Sequence, residues 1–208
     1  MGKLPSNSFN QLIQAVILCG GQAQRMGGID KGLAELNHKP LLQWVIDKLT
    51  PQVHKIQINA NHHIHLYEKF GYEIISDIIE GYAGPLAGFH AALSTCTLPY
   101  LLTVPCDCPL LPENLVTQMY LELEENQADL VYAATVNHEK SNALETHPVF
   151  CLMRQELLPS IEIFLKTDRK IDRWFKTLKA NPVVFNDKDN FININTMYEL
   201  EKVQAKIA

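Results

Sequence analysis

The chain has 208 residues, 47% of them hydrophobic and 20% charged, which is enough apolar material for one well-cored domain and does not demand two. Its net charge of −5 excludes a dedicated nucleic-acid binder with a basic surplus, while leaving room for a local basic pocket. Five scattered cysteines, an odd number, are poor material for a disulfide framework and fit a reducing cytoplasm.

No apolar run reaches the roughly 18 residues of a membrane helix, and the opening MGKLPSNSFN lacks the apolar centre of a signal peptide, so no membrane association is expected. Residues 1–13 are expected to form a mobile tail ahead of a single domain spanning 14–208. Ala15 to Cys19 (AVILC) is continuously apolar, as in a strand buried on both faces. Pro40 opens a helix with Leu41, Leu42, Val45, Ile46 and Leu49 on one face. Strands are expected at Lys55 to Asn59, Tyr72 to Ser76 and Tyr100 to Val104, the last ended by Pro105. Between them, Gly84-Pro85-Leu86 starts a helix to about Thr95. A helix from Glu113 to Glu124 follows, then strands at Asp129 to Ala134 and Pro148 to Met153. Helical stretches at Gln155 to Lys166 and Lys170 to Lys179 precede a strand at Val183 to Asn186. Phe191 to Asn193 reads as short and extended, and Thr196 caps a final helix containing Tyr198, Leu200 and Val203.

This alternation predicts an α/β fold: a single-domain, Rossmann-like three-layer α/β/α arrangement with a mostly parallel sheet. Ligands of such sheets bind beyond the carboxyl ends of the strands. The chemically unusual residues stand at those ends. A glycine loop follows the first strand, Asn59-Ala60-Asn61 the second, Ser76-Asp77 the third and Cys106-Asp107 the fourth.

The stretch ILCGGQAQRMGGIDKGL, residues 17 to 33, holds five glycines together with Arg25 and Lys31. Gly20 and Gly21 allow close backbone approach and positive φ, and successive amides there form an anion cradle. Arg25 and Lys31 add cationic donors, and Asp30 is expected to steer Lys31 rather than to meet a phosphate. The P-loop pattern Gly-x-x-x-x-Gly-Lys-Ser/Thr and the dinucleotide pattern Gly-x-Gly-x-x-Gly are both absent. A flexible surface turn is the duller alternative.

These residues carry a resemblance. Leu18-Cys19-Gly20-Gly21 followed by Arg25-Met26-Gly27-Gly28-x-Asp30-Lys31 is similar to the signature loop of nucleotidyltransferases with a glycosyltransferase-A-like fold. Among them it most resembles the molybdenum cofactor guanylyltransferases. The likeness continues in order through Asn59-Ala60-Asn61, Asp77, Gly84 to Gly88, Pro105-Cys106-Asp107, His147-Pro148 and Phe191 to Thr196. Cys19 departs from the usual alanine. The resemblance implies GTP and molybdenum-loaded molybdopterin as substrates, and guanylylated cofactor and pyrophosphate as products. It also implies that Leu18, Cys19, Gly20, Lys31, Asn59, Asp77 and Asp107 hold the nucleotide, and that Asp107 carries Mg²⁺. Molybdoenzymes and other cofactor-assembly proteins are the implied recipients.

The residue chemistry agrees with this reading. Mg²⁺ takes one or two carboxylates plus phosphate oxygens and water, and Asp107 supplies a hard oxygen at a strand end. A helix cap ahead of Pro109 is the alternative for that residue. Asn59 and Asp77 offer amide and carboxylate groups to a purine edge or a ribose hydroxyl, or else serve as turn residues. The His62, His63 and His65 cluster lacks the partners of a metal site and is expected to be solvated. His147 is expected to pack, with contact to the second substrate as the alternative, and Asn193 and Asn195 to orient phosphates or magnesium. The basic run Lys166, Arg169, Lys170 and Arg173 is expected to be a solvated face, with attraction of a pterin phosphate as the alternative. In the catalysis so implied, magnesium on Asp107 together with Arg25, Lys31 and the loop amides offsets charge while a phosphate attacks the α-phosphorus of GTP. Two other functions fit the residues: a nucleotidyltransferase acting on a sugar or alditol phosphate, and a non-catalytic adaptor binding GTP or molybdopterin.

Overall fold

Ile13–Leu18 forms the first strand (β1), buried along its whole length, in a computed structural model that describes residues 8–20, 30–79, 84–137 and 142–207. Six consecutive buried residues need cover on both faces, which only helices above and below a sheet provide. A two-stranded hairpin follows, Glu35–Leu36 (β2) and Lys39–Pro40 (β3), then helix Leu41–Leu49 (α1) and strand Lys55–Asn59 (β4). A short helix Ile64–Tyr67 (α2) leads to strand Glu73–Ile75 (β5), and helix Pro85–Thr95 (α3) leads to strand Tyr100–Pro105 (β6). Helix Leu115–Glu125 (α4) precedes the long strands Leu130–Asn137 (β7) and Ala143–Arg154 (β8). Helices Leu158–Phe164 (α5) and Ile171–Phe175 (α6), strand Ala180–Phe185 (β9) and helix Met197–Ile207 (α7) complete the order.

Seven strands form one sheet in the order β5-β4-β1-β6-β8-β7-β9. The pairs β4/β5, β1/β4, β1/β6 and β7/β9 are parallel, and only β8 runs against its neighbours. The expected mostly parallel α/β sheet is therefore present. Alternation along β1 divides the core. Ile13, Ala15 and Ile17 face a cluster with α1 and α4, while Val16 and Leu18 face one with α3, α5 and α6. A third cluster packs Leu36 of the hairpin and Leu41 of α1 against Ile194, Leu200 and Val203. That cluster seats α7 beside the hairpin, a long way along the chain from it.

Register matters most for function. Leu18 is level with Asn59 on one side and Pro105 on the other, and Asn59 is level with Ile75. Four parallel strands thus end together, and the residues after them share one edge.

Several boundaries differ from the sequence expectation. The packed chain starts before residue 14: Ser8–Leu12 is a 3₁₀ turn, and Phe9 is buried and stacked on Tyr120 with ring centroids 4.6 Å apart. The tail expected over 1–13 therefore does not reach residue 8, and residues 1–7 lie outside the described ones. Pro105 is the last residue of β6 rather than a break before it ends. β7 and β8 are longer than expected because their far ends pair with each other, out to Asn137 opposite Ala143. The helix expected over Lys170 to Lys179 is confined to α6. Lys188–Phe191 is a 3₁₀ turn, so only the residues after Phe191 are extended. The β2–β3 hairpin was not expected at all. It turns on Asn37 and His38 at φ 52° and 60°, the left-handed pair that a tight hairpin needs. Among the described residues, no helix is long and apolar enough to cross a membrane, and all five cysteines are free and buried.

Candidate active site

The shared edge begins where the backbone ladder runs one residue past the strands. Cys19 N–H donates to Asn59 C=O at 2.8 Å, and Cys106 N–H donates to Leu18 C=O at 3.2 Å. Two glycines keep this edge tight. A Cβ on Gly88 in α3 would stand 2.8 Å from both Asn59 Oδ1 and Leu18 Cδ2. A Cβ on Gly20 would stand 3.3 Å from Asn61 Nδ2. The helix and the loop start are pressed onto the strand ends with no spacer.

Asp77, just beyond β5, is held by two asparagines. Asn59 Nδ2 donates to its Oδ1 at 2.9 Å, and Asn61 Nδ2 donates to its Oδ2 at 2.8 Å. The Asp77 backbone N–H returns a bond to Asn61 Oδ1 at 2.8 Å. Each carboxylate oxygen keeps a second lone pair for a ligand donor. Asn59 and Asp77 were expected at this edge. Asn61 was seen only as part of its motif, and its reciprocal bond to Asp77 has the form of the turn chemistry that Asn favours.

Lys31 and Asp107 meet on the other half of the edge, Nζ to Oδ2 at 3.2 Å. Lys31 also donates to Asn195 Oδ1. The loop carrying Asn195 is pinned by Ile194 N–H to Asp107 C=O at 2.9 Å and by Asn195 N–H to Glu199 Oε2 at 2.8 Å. Thr196 caps α7 as expected, accepting from Glu199 N–H at 3.2 Å. Glu199 itself was missed, although Thr-x-x-Glu ahead of an apolar run is the signature of a capping box.

Asp107 is only 8% exposed, and its Oδ1 has no hydrogen-bond partner among the described residues. Burial pushes this carboxyl above its ordinary range, and the Lys31 ammonium opposes that shift. The flanking cysteines turn away from it. The Cys106 thiol lies in the core against that of Cys19, and Cys108 donates to Asn193 Oδ1. A structural role for Cys108, fixing the segment that bears Asn193 and Asn195, follows from that bond.

Asp30 does not pair with the Lys31 ammonium. Its carboxylate accepts from the Tyr67 hydroxyl and faces His63 Nδ1 at 3.5 Å, so any steering of Lys31 passes through the backbone. Gly21 and Arg25 lie outside the described residues. Among the described residues no group of three metal-ligating side chains exists, and His62, His63 and His65 are exposed. His147 packs: its ring is stacked on Phe191 at 4.8 Å and its Nε2 lies 3.0 Å from Thr135 Oγ1. Lys166, Arg169, Lys170 and Arg173 are exposed, and Arg173 pairs with Asp168 at 2.7 Å.

Chemically, the edge offers an ammonium, a carboxylate with one open oxygen and, across the strand ends, a braced amide–carboxylate pair. That set suits a polyanionic ligand carrying a polar ring.

Comparison with known proteins bears on the same residues. A family model described as the MobA-like NTP transferase domain matches residues 15–183. A protein of Polynucleobacter asymbioticus named molybdenum cofactor guanylyltransferase is 48% identical over 196 residues, covering 94% of this chain and 97% of that one. A protein of Shewanella sediminis with the same name is 44% identical over 198 residues, covering 94% and 97%. Among solved structures, molybdopterin-guanine dinucleotide biosynthesis protein A from Archaeoglobus fulgidus superposes with a TM-score of 0.73 at 23% identity, over 93% of this chain and 98% of that one.

Proposed function

The chain belongs to the MobA-like NTP transferase family, and on that premise we propose how its own residues carry out guanylyl transfer. It is a nucleotidyltransferase of molybdenum cofactor biosynthesis, taking GMP from GTP to molybdenum-loaded molybdopterin and releasing pyrophosphate. A phosphate oxygen of the pterin attacks the α-phosphorus, a new P–O–P linkage forms, and the bond to the β-phosphate breaks. That oxygen is already ionised at neutral pH, so no general base is required. Bringing two polyanions together is the obstacle, and positioned positive charge is the remedy.

The Lys31–Asp107 contact carries this assignment of roles. Lys31, held by Asp107 and Asn195, presents its ammonium to the triphosphate. Arg25 and the amides of Gly20 and Gly21 add donors along the same polyanion; the Cys19 amide is already taken by Asn59 C=O and Leu18 lies in the sheet ladder, so neither of those two serves through its N–H. Asn59 and Asp77, braced by Asn61, take the nucleoside end.

Magnesium fits this donor set. Asp107 has a buried, unpartnered carboxylate oxygen, and one carboxylate with phosphate oxygens and water satisfies the ion. Asp107 would hold it, and when bound it supplies neutralisation of developing phosphate charge. The unpartnered oxygen also weighs against the adaptor reading, since a mere binder gains nothing from a buried, partnerless carboxylate oxygen. Free, buried thiols support a reducing cytoplasmic setting, and the product is passed to molybdoenzymes or to proteins of cofactor assembly.

The test is pyrophosphate release from GTP, ATP, CTP and UTP with magnesium, each with and without molybdenum-loaded molybdopterin. Release with GTP only in the presence of the pterin is expected. Release with another nucleotide, or with a sugar phosphate in place of the pterin, would overturn the substrate assignment while leaving the fold intact.

A further inference from the structure

Tyr67 is the last residue of α2 and is fully buried. Burial pushes its hydroxyl well above the ordinary value, so it stays protonated and acts as a donor. Its partner is Asp30 Oδ1, 37 residues earlier in the chain and immediately before Lys31. The Asp30 side chain is itself only 12% exposed, and its second oxygen faces His63. The Asp30 carbonyl accepts from Leu33 N–H at 3.0 Å, which closes the single 3₁₀ turn Lys31–Leu33. Within that turn, a Cβ on Gly32 would stand 3.0 Å from Tyr67 Oη and 3.4 Å from Cys106 Sγ. The residues on both sides of Lys31 are therefore seated on one buried tyrosine, and the turn rests beside the residue preceding Asp107.

We propose that Tyr67 is a positioning residue for the transfer reaction: through Asp30 and Gly32 its hydroxyl fixes the turn from which Lys31 reaches Asp107 and Asn195. The proposal rests on the reading above that Lys31 serves the phosphates. A lysine is a flexible stem with a point charge, so the direction of its ammonium depends on how firmly its backbone is held. A loosened turn leaves GTP binding to the other contacts and weakens the contact that matters most as charge develops, so kcat falls more than KM rises.

The test uses the full chain, pyrophosphate release from GTP with the loaded pterin, and Tyr67→Phe, which removes one buried oxygen and keeps the ring. We expect kcat to fall about tenfold with KM for GTP within about twofold of the parent. In a Lys31→Ala background the same change should move kcat by less than about twofold, because residues acting as one unit are not additive. Asp30→Leu, which removes the acceptor instead of the donor, should reproduce Tyr67→Phe even where Tyr67→Phe folds poorly. Asp30→Asn keeps an acceptor for the hydroxyl and should stay within about threefold of the parent. An unchanged kcat in Tyr67→Phe and Asp30→Leu overturns the proposal. So does a tenfold loss that persists in the Lys31→Ala background, which would place the effect elsewhere. If Lys31→Ala alone retains full activity, the underlying reading of Lys31 fails first and the proposal falls with it.

Discussion

Lys31 and Asp107 stand 3.2 Å apart across 76 residues of chain, yet the carboxyl of the pair is pushed above its ordinary range because burial outweighs the ammonium beside it. The contact is thus held by the fold more than by mutual attraction, and the ionised aspartate is a local cost to the empty protein.

Asp107→Asn should therefore separate stability from activity. The native pKa is raised, so the native state binds its proton at higher pH than the unfolded chain does. Wild-type stability consequently rises as pH falls through the native pKa toward the ordinary value of 3.8. At neutral pH the asparagine variant should melt higher than the parent. The gap should close as pH approaches the ordinary value, where the parent's Asp107 is protonated too. Transfer activity should drop by about 10² or more with loss of the charged ligand. Paired calorimetric scans across pH and a pyrophosphate assay check both halves; a variant less stable than its parent at neutral pH would contradict the sign.

Gly88→Ala offers a second check, with a sign opposite to the usual one. Within a helix, alanine normally gains roughly 0.5–1 kcal/mol over glycine. Here the new methyl would meet Asn59 Oδ1 and Leu18 Cδ2 at 2.8 Å, and Asn59 is tethered to Asp77. Overpacking of this sort costs about 1–3 kcal/mol, which exceeds the propensity gain. A melting temperature lower by about 2–6 °C is expected for a domain of this size, with a raised KM for GTP as Asn59 is displaced. Unfolding curves and initial rates on the same preparation measure it.

Asn61→Ala should loosen Asp77 without touching Lys31 or Asp107. It deletes the bond to Oδ2 and the acceptor for the Asp77 backbone N–H. Because Asn61 is exposed, stability should change by less than about 0.5 kcal/mol. GTP affinity should fall about tenfold, by titration calorimetry, with kcat at saturating GTP close to the parent's. A fall in kcat at constant affinity would assign Asn61 to the chemical step instead.

Much of this edge was legible in the sequence because glycine, asparagine and aspartate close or closely follow otherwise apolar strands. The resemblance joined those ends into a nucleotide site, and the parallel register brought Leu18, Asn59 and Pro105 level as that required. What stayed hidden depends on contacts that no local pattern records. The hairpin turns on Asn37-His38 rather than on a glycine-bearing pair, so its turn signal is weak. Lys31 reaches Asn195 only because a third apolar cluster seats α7 against the hairpin, and that packing spans most of the chain. Tyr67 reads as an ordinary apolar residue behind three histidines; its role is visible only once Asp30 and Gly32 are seen lying on its hydroxyl.

The five buried thiols give the protein a set of built-in clocks. A thiol reacts as its thiolate and only where reagent can reach it; the hydrogen bond with Cys19 and then burial push Cys106, and burial pushes Cys108 and Cys151, well above their ordinary value. Their alkylation is therefore timed by how often each neighbourhood opens. Cys151 sits mid-sheet opposite Thr103 and answers to the rupture of β8 from β6. Cys19 and Cys106 lie directly at the strand ends and are expected to label first on breathing of the edge. Mass spectrometry of one labelling series, with GTP present or absent, would read ligand-induced tightening of the site against the stability of the whole sheet, in a chain that carries its own reporters.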